Sequence, residues 1–300
     1  MNRNIIQKGL NVLLWRTAHI WSDKTYLKLK FYAMFGYKLD LDNPKGYNEK
    51  CQWLKLYYRK PEFITMVDKY AVKDYVAEKI GKEYVVPCYG VWEHFNDIDF
   101  DSLPNSFVLK CTHDSGGFVV VPDKTNFNKA EAKKKIEEGL AKDYYYYTRE
   151  WPYKHVPKRI IAEQHLDSLG KPDSVEYKLT CMDGEVKVIT VCGGIAHAAY
   201  KLRSNDHFTK DWVRQNWYAA YKPSGRAIPK PKEMDEIVRL SEILSKGIPQ
   251  VRVDWYVHNG KIYFGEMTFY TWAGFALFEP WDWNFKLGEW IKLPEKFIGK

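Results

Sequence analysis

The rhythm of hydrophobic and polar positions changes near residue 83. Before it, apolar residues recur at helical spacing. "YNEKCQWLKLYYR" places Cys51, Trp53, Leu54 and Leu56 between charges, and "ITMVDKYAVKDYVAEKIG" places Met66, Val67, Tyr70, Ala71 and Tyr75 likewise, with Gly81 as a stop. The opening "MNRNIIQKGLNVLLWRTAHIW" predicts a basic amphipathic helix, its apolar run interrupted by Gln7, Lys8, Asn11 and Arg16. From Tyr84 onward, strand-like runs and turns take over. "FVLKCTHDSGGFVVV" (107–121) predicts two strands around Asp114-Ser115-Gly116-Gly117, and "NKAEAKKKIEEGLAK" (128–142) a charged helix. "RIIAEQHL" (159–166) predicts a strand, and 175–193 a strand pair turning at Met182-Asp183-Gly184. A helix over 232–247 closes at Gly247, and 250–269 forms a hairpin at Asn259-Gly260. A helical first quarter followed by strands mixed with helices predicts the α+β class.

Composition narrows the field. A 45% hydrophobic fraction with 28% charge describes a folded chain, not a disordered one. The net charge of +8 favours an anionic partner such as a nucleotide, an acidic glycan or a membrane surface. Cysteines 51, 88, 111, 181 and 192 are odd in number and lack CxxC spacing, against a zinc site or disulfide framework and in keeping with a reducing cytoplasm. No apolar window of about 18 residues exists to span a membrane. The N-terminal stretch makes a poor signal peptide; its helix either packs on the body or touches a membrane surface peripherally. Four tyrosines in "YYYYTREWPYK" fit helix packing, with sugar stacking as the alternative.

Two places carry candidate chemistry. Lys110 ends a strand just before Thr112, His113, Ser115, Gly116 and Gly117, where backbone N–H groups, hydroxyls and an ammonium could cradle phosphate. An ordinary Gly-Gly turn fits the same residues. Asp254 and Glu266 occupy the two strands of one hairpin, and parity decides whether they meet. A two-residue Asn259-Gly260 loop puts them on opposite faces, whereas a three-residue loop ending in a glycine bulge at Gly260 puts them on one face with Arg252 and Thr268. Such a group suits Mg²⁺, although a solvated face with an Arg–Asp pair fits as well.

Taken in order, these stretches resemble the ATP-grasp superfamily, and within it the teichuronopeptide-biosynthesis (TupA-like) family. The resemblance rests on "DNPKGYNEKCQWLKLYYR", "VDKYAVKDYVAEKIG", "LPNSFVLKCTHDSGG", "YYYYTREWPYKHVPKRIIAEQHL" and "VRVDWYVHNGKIYFGEMTFY", from about residue 42 to 270. It implies an ATP-grasp fold, two α+β lobes clasping ATP, preceded by a helical region. The implied boundaries are 1–82 for that region, 83–165 for the N-lobe and 166–300 for the C-lobe. Lys110 matches a lysine that contacts ATP phosphates, and His113 to Gly117 match the loop that closes over them. Glu163, Gln164, His165 and Leu166 match the hinge that reads adenine, and Lys178 matches a lysine facing the nucleotide. Asp254 and Glu266 match Mg²⁺ ligands, with Thr268 where many relatives carry Asn, and Arg252 matches the arginine steering the transferred phosphoryl group. Asp114 departs from the usual loop by placing a negative charge beside it. Gly274, in "TWAGF", stands alone where a glycine-rich run is usual.

The implied reaction is ATP-dependent joining of a carboxylate to an amine through an acyl phosphate, with ATP and Mg²⁺ as cofactors. The implied acid is a uronic-acid sugar or amino acid of a surface-polysaccharide (capsule) pathway, free or glycan-borne, and no nucleic acid takes part. Arg203 is the candidate for holding the substrate carboxylate. Replacing Asp254 by Asn or Glu266 by Gln is expected to stop turnover and spare the fold. Two other classes stay open, a glycosyltransferase and a nucleotide- or glycan-binding module without turnover. The first would draw on Asp40-Leu41-Asp42, Asp97-Ile98-Asp99 or Asp99-Phe100-Asp101.

Overall fold

The computed structural model describes residues 3–166, 174–194 and 203–299. Three helices open the chain: α1 (Ile5–Arg16), α2 (Asp23–Phe35) and α3 (Tyr47–Tyr57). Asn4 and Gln7 form a capping box at the start of α1; Ser22 caps α2, and Gly36 ends it in the left-handed conformation. Helix α3 forms where the spacing puts it, but it is buried on its polar side as well as its apolar one. Its polar residues Asn48, Glu49, Gln52 and Lys55 are all buried. Each finds partners: Asn48 donates to Ala276 O and Asn284 Oδ1, Gln52 donates to Gly274 O, and Glu49 accepts from the backbone of Lys45 and Gly46.

The helix expected over 64–81 is two helices, α4 (Glu62–Val67) and α5 (Val72–Ile80). Asp68 makes the break. Its carboxylate accepts from Tyr70 N and Ala71 N and pairs with Arg159 at 2.6 Å, a local alternative to continuing the helix. A short strand β1 (Tyr58–Arg59) pairs in parallel with the chain's last strand, β13 (Phe297–Ile298).

Two antiparallel sheets follow. The first contains β2 (Cys88–Trp92), β3 (Phe107–Cys111), β4 (Phe118–Val121) and β5 (Ile160–Gln164) in the order β2-β5-β3-β4. Helix α6 (Lys129–Ala141) covers it, burying Ala132 and Ile136 against Phe107, Leu109 and Ile160. Helix α7 (Tyr144–Thr148) leads back toward β5. The second sheet contains β6 (Val175–Met182), β7 (Glu185–Gly193), β8 (Ser204–Phe208), β10 (Val251–His258) and β11 (Lys261–Thr268), ordered β11-β10-β6-β7-β8. Helix α8 (Met234–Ser245) packs Ile237, Leu240 and Leu244 against one face of it. A small pair, β9 (Tyr218–Ala219) and β12 (Phe278–Glu279), lies beside helix α9 (Trp283–Trp290), which packs on α3. The opening helices share one core with the second sheet, while the first sheet keeps its own.

Candidate active site

The carboxylate hairpin settles its parity in an unexpected place. Residue 258 pairs with 261, so of the two alternatives the two-residue Asn259-Gly260 turn forms, with φ of 51° and 73°. The pairing then slips by one residue between Val253 and Trp255. Opposite that slip lies Gly265, where a Cβ would stand 3.0 Å from Asp254 O. The bulge belongs to the strand, and it turns Glu266 onto the face of Asp254.

Arg252 ties that face together. Its Nη2 lies 2.7 Å from Asp254 Oδ2, 3.0 Å from Glu266 Oε1 and 3.0 Å from Thr268 Oγ1, while Nε lies 2.6 Å from Asp254 Oδ1. Lys178, on the neighbouring β6, reaches Asp254 Oδ2 at 2.6 Å and Glu176 at 2.8 Å. Burial alone would raise the Asp254 carboxyl, but Arg252 and Lys178 outweigh it and hold it below its usual value. Burial would lower Lys178, yet Asp254 and Glu176 raise it well above normal. Three oxygens thus converge on one cationic nitrogen. That donor set fits a magnesium ion, which takes hard oxygen ligands and keeps several from water and phosphate. Among the described residues no cluster of three or more His, Cys, Asp or Glu could hold a metal unaided.

In the first sheet, Glu163 on β5 stands between two lysines. Lys110 on β3 reaches it at 2.5 Å and Lys73 on α5 at 2.6 Å. Burial pushes its carboxyl up, but the two ammonium groups prevail and hold it at about 2. The rest of the expected hinge continues this edge. Gln164 N donates to Pro87 O, His165 Nδ1 meets Ser106 Oγ at 2.8 Å, and Leu166 is buried.

The loop after β3 is built from its own residues. The Asp114 carboxylate folds back to accept from Gly117 N, and Lys69 donates to Asp114 O, so the extra negative charge is tied into the turn. Gly116 adopts φ 104°, which a side chain would resist. The Thr112 hydroxyl, expected toward phosphate, donates instead to Pro157 O and accepts from Arg159 N. His113 is buried with Nε2 at 3.2 Å from Lys142 O, and burial lowers its pKa.

A cavity of about 620 Å³ joins the loop to the second sheet. Ser115 lines it together with Lys178, Arg203, Arg252, Glu266 and Thr268. Lys110, His113, Gly116, Gly117, Asp254 and the Glu163–Leu166 edge do not line it. Arg203 stands beside Tyr221, its Nη1 at 3.4 Å from the hydroxyl. The segment after β11 reaches the cavity through three consecutive left-handed residues, Trp272, Ala273 and Gly274, with φ of 56°, 52° and 63°. Left-handed backbone costs roughly 1–2 kcal/mol per non-glycine residue. Here Lys55 and Gln52 clamp the carbonyls of Ala273 and Gly274 from behind. The Asp-x-Asp stretches take no part: Asp40, Asp97, Asp99 and Asp101 are exposed, and Asp40 and Asp99 cap their own turns.

Sequence reasoning missed Lys73, Glu176 and Lys55. Strand alternation alone places Glu176 on the face of Lys178 and Thr180. Lys73 and Lys55 were hidden because a lysine on a helix reads as solvated by default.

A mixed α and β fold with a cavity that gathers Lys178, Arg203, Arg252, Glu266 and Thr268 is the setting for the family match along the sequence. The match to the TupA-like ATP-grasp family covers residues 49–292, and the chain belongs to that family. No curated protein matches the chain at a significant level. Among solved structures, a D-alanine–D-alanine ligase from Bacillus anthracis complexed with ATP is 18% identical, with TM-score 0.41, covering 68% of this chain and 55% of the ligase. The chain therefore spans about half the length of that protein. The corresponding ligase from Helicobacter pylori is 14% identical, with TM-score 0.44 and coverage of 84% and 70%. A RimK domain ATP-grasp protein from Sphaerobacter thermophilus is 11% identical, with TM-score 0.43 and coverage of 78% and 70%. Likeness at this level carries no functional argument, so the family rests on the match along the sequence.

Proposed function

We propose that this chain is an ADP-forming carboxylate–amine ligase that makes an amide through an acyl phosphate. The observation that carries this is one cavity lined at once by Ser115, Lys178, Arg252, Glu266, Thr268 and Arg203. A carboxylate oxygen attacks the γ-phosphorus of ATP and ADP leaves. The amine nitrogen then attacks the acyl carbon, and phosphate departs with the bonding pair. Arg252 holds its Nε–Nη2 edge on Asp254, and its guanidinium, which lines the cavity, would stabilise charge on the phosphoryl oxygens. Lys110 on the first sheet and Lys73 on α5 both pair with Glu163 and carry positive charge near the loop that would close over phosphate. Magnesium, held by Asp254, Glu266 and Thr268, would neutralise charge on the transferring group.

The acid we favour is a uronic-acid sugar of a capsule or other surface-polysaccharide pathway, acted on in the cytoplasm. Arg203 offers a cation for its carboxylate, and Tyr221 and Trp272 beside it offer aromatic faces to the sugar ring. Amino acids are the second class of acid. Peripheral contact with a membrane surface through α1 is part of the proposal, because a polysaccharide acceptor is made there. Among the described residues no helix is long and apolar enough to cross a membrane.

The test uses uronic acids and amino acids labelled with oxygen-18 in the carboxylate, together with ATP, Mg²⁺ and a panel of primary amines. One labelled oxygen should pass into inorganic phosphate as the amide forms. Release of AMP and pyrophosphate, or unlabelled phosphate, would reject the acyl phosphate. Transfer of a sugar from a nucleotide sugar without ATP consumption would favour a glycosyltransferase.

A further inference from the structure

The cavity has a second charged feature that the reaction scheme leaves unused. Helix α7 ends at Arg149, whose backbone is left-handed with φ 56°. Its guanidinium turns inward, away from the cavity, donating to Ala18 O and Trp21 O and lying 4.3 Å from the centre of the Tyr26 ring. The reversal sends the next side chain, Glu150, the other way. Glu150 is only 3% exposed, yet it lines the cavity with Tyr47, Tyr144, Tyr153 and Tyr270.

A buried carboxylate ordinarily has a cation against it. The natural candidate is Lys55, but its three N–H donors are spent on neutral oxygens: Gln52 Oε1 at 3.1 Å, Thr148 O at 2.7 Å and Ala273 O at 2.6 Å. Glu150 makes no ion pair among the described residues, and Tyr144 beside it in the cavity wall offsets its rise only in part. Burial raises the Glu150 carboxyl, Lys55 opposes that only in part, and Glu266 adds to the rise. A second positive charge is what this carboxylate lacks.

The cavity wall therefore carries groups of both signs. Arg203 suits a substrate anion. Glu150 among tyrosine rings and hydroxyls suits a cation, since aromatic faces and a carboxylate together favour a primary ammonium. Glu150 lines the same cavity as Arg252 and Glu266, the residues assigned above to phosphoryl transfer. We propose that Glu150, with Tyr144, Tyr153 and Tyr270, forms the subsite that binds the amine co-substrate as its ammonium; one proton passes to the Glu150 carboxylate to free the nitrogen lone pair for attack, and the second leaves the nitrogen for the departing phosphate. This rests on the ligase reading above and assigns the amine its place in it.

Hydroxylamine separates the two ideas, because it is largely uncharged near neutral pH and traps an acyl phosphate as a hydroxamate without needing an ammonium site. With the acid that gives most hydroxamate, wild type and Glu150→Gln should form hydroxamate at rates within about twofold. Glu150→Gln should lose on the order of 100-fold in kcat/KM for alkylammonium amines, mainly through KM, as when a buried charge-assisted bond is removed. Glu150→Asp should recover part of that loss, and a melting temperature near wild type would show that the fold survives. Equal use of amines by Glu150→Gln, or equal loss of hydroxamate and amide, would overturn the subsite while leaving the ligase standing. If Glu150→Gln does not fold, no recovery in Glu150→Asp decides against it. Absence of hydroxamate in wild type with every acid would remove the ligase reading, and the subsite with it.

Discussion

At the scale of single residues, the paired carboxylates have unequal jobs. Asp254 is buried and joins Arg252 to Lys178, so it is structural as well as chemical. The expectation that Asp254→Asn spares the fold therefore needs revision. Removing one partner of a buried ion pair costs about 3–5 kcal/mol. Glu266 has a side chain 41% exposed, so Glu266→Gln should cost less than about 1 kcal/mol. Both should lower turnover on the order of 100-fold or more. Urea unfolding beside steady-state rates would separate them, and equal stability loss in the two variants would contradict this division. Glu163 gives a pH signature. Its carboxyl is held at about 2 in the fold against an ordinary 4.5, so its stabilisation is complete above 4.5 and is lost as pH falls toward 2. The contribution is roughly 3 kcal/mol. Glu163→Gln should flatten stability between those limits; an unchanged slope would contradict the assignment.

Among the elements, those with one apolar face were legible and those buried all round were not. Helix α8 and both hairpins of the second sheet appear where periodicity and turn residues put them, because each shows one face to the core. Helix α3 was legible as a helix but its buried polar side was not, because polar residues at 48, 52 and 55 form a stripe as regular as an apolar one and face protein instead of water. The Gly265 bulge left no trace in the alternation, since a single slipped residue looks like noise until partners are known. Lys110, Glu163, Arg252 and Glu266 were readable in the sequence; Lys73, Lys55 and Glu150 were not, because they act across sequence gaps that periodicity does not bridge. Helix α1 carries its own prediction. It packs through Gln7 and Leu14, while Ile5 is 86% and Trp15 61% exposed. Ile6, Val12 and Leu13 are exposed too, Lys8 and Arg16 share that surface, and the helix contains no acidic residue. Such a face suits an anionic bilayer. The protein should sediment with vesicles containing phosphatidylglycerol and little with phosphatidylcholine alone. Replacing Ile6 and Trp15 by Glu should weaken binding by roughly 100-fold or more, from the apolar area no longer buried. No binding to either vesicle would dismiss the contact.

Across the whole molecule, the two cores set the order in which parts loosen. The first sheet has a small core of its own around Phe107, Leu109, Ile136 and Ile160, whereas the opening helices and the second sheet share a much larger one. The links between them run from the helices of the larger core to the first sheet: Asp68 to Arg159, Lys69 to Asp114 O, and Lys73 to Glu163. Sub-global opening should therefore release the first sheet before the second. Lys110 and Glu163 lie on the first sheet, while Arg252, Asp254 and Glu266 lie on the second, so a ligand spanning both groups favours the closed arrangement of both. Mass action fixes the size of the effect. At a hundredfold excess over its dissociation constant, a ligand lost on opening adds about 2.7 kcal/mol, slowing exchange through that opening by about 100-fold. Amide exchange of residues 107–111 and 160–164 should slow to that extent when Mg²⁺ and a non-hydrolysable ATP analogue are added together. Amides of 251–257, protected by the larger core, should change far less. Equal slowing in both sheets would mean one cooperative unit, and no slowing in the first sheet would mean that the nucleotide does not bridge the two.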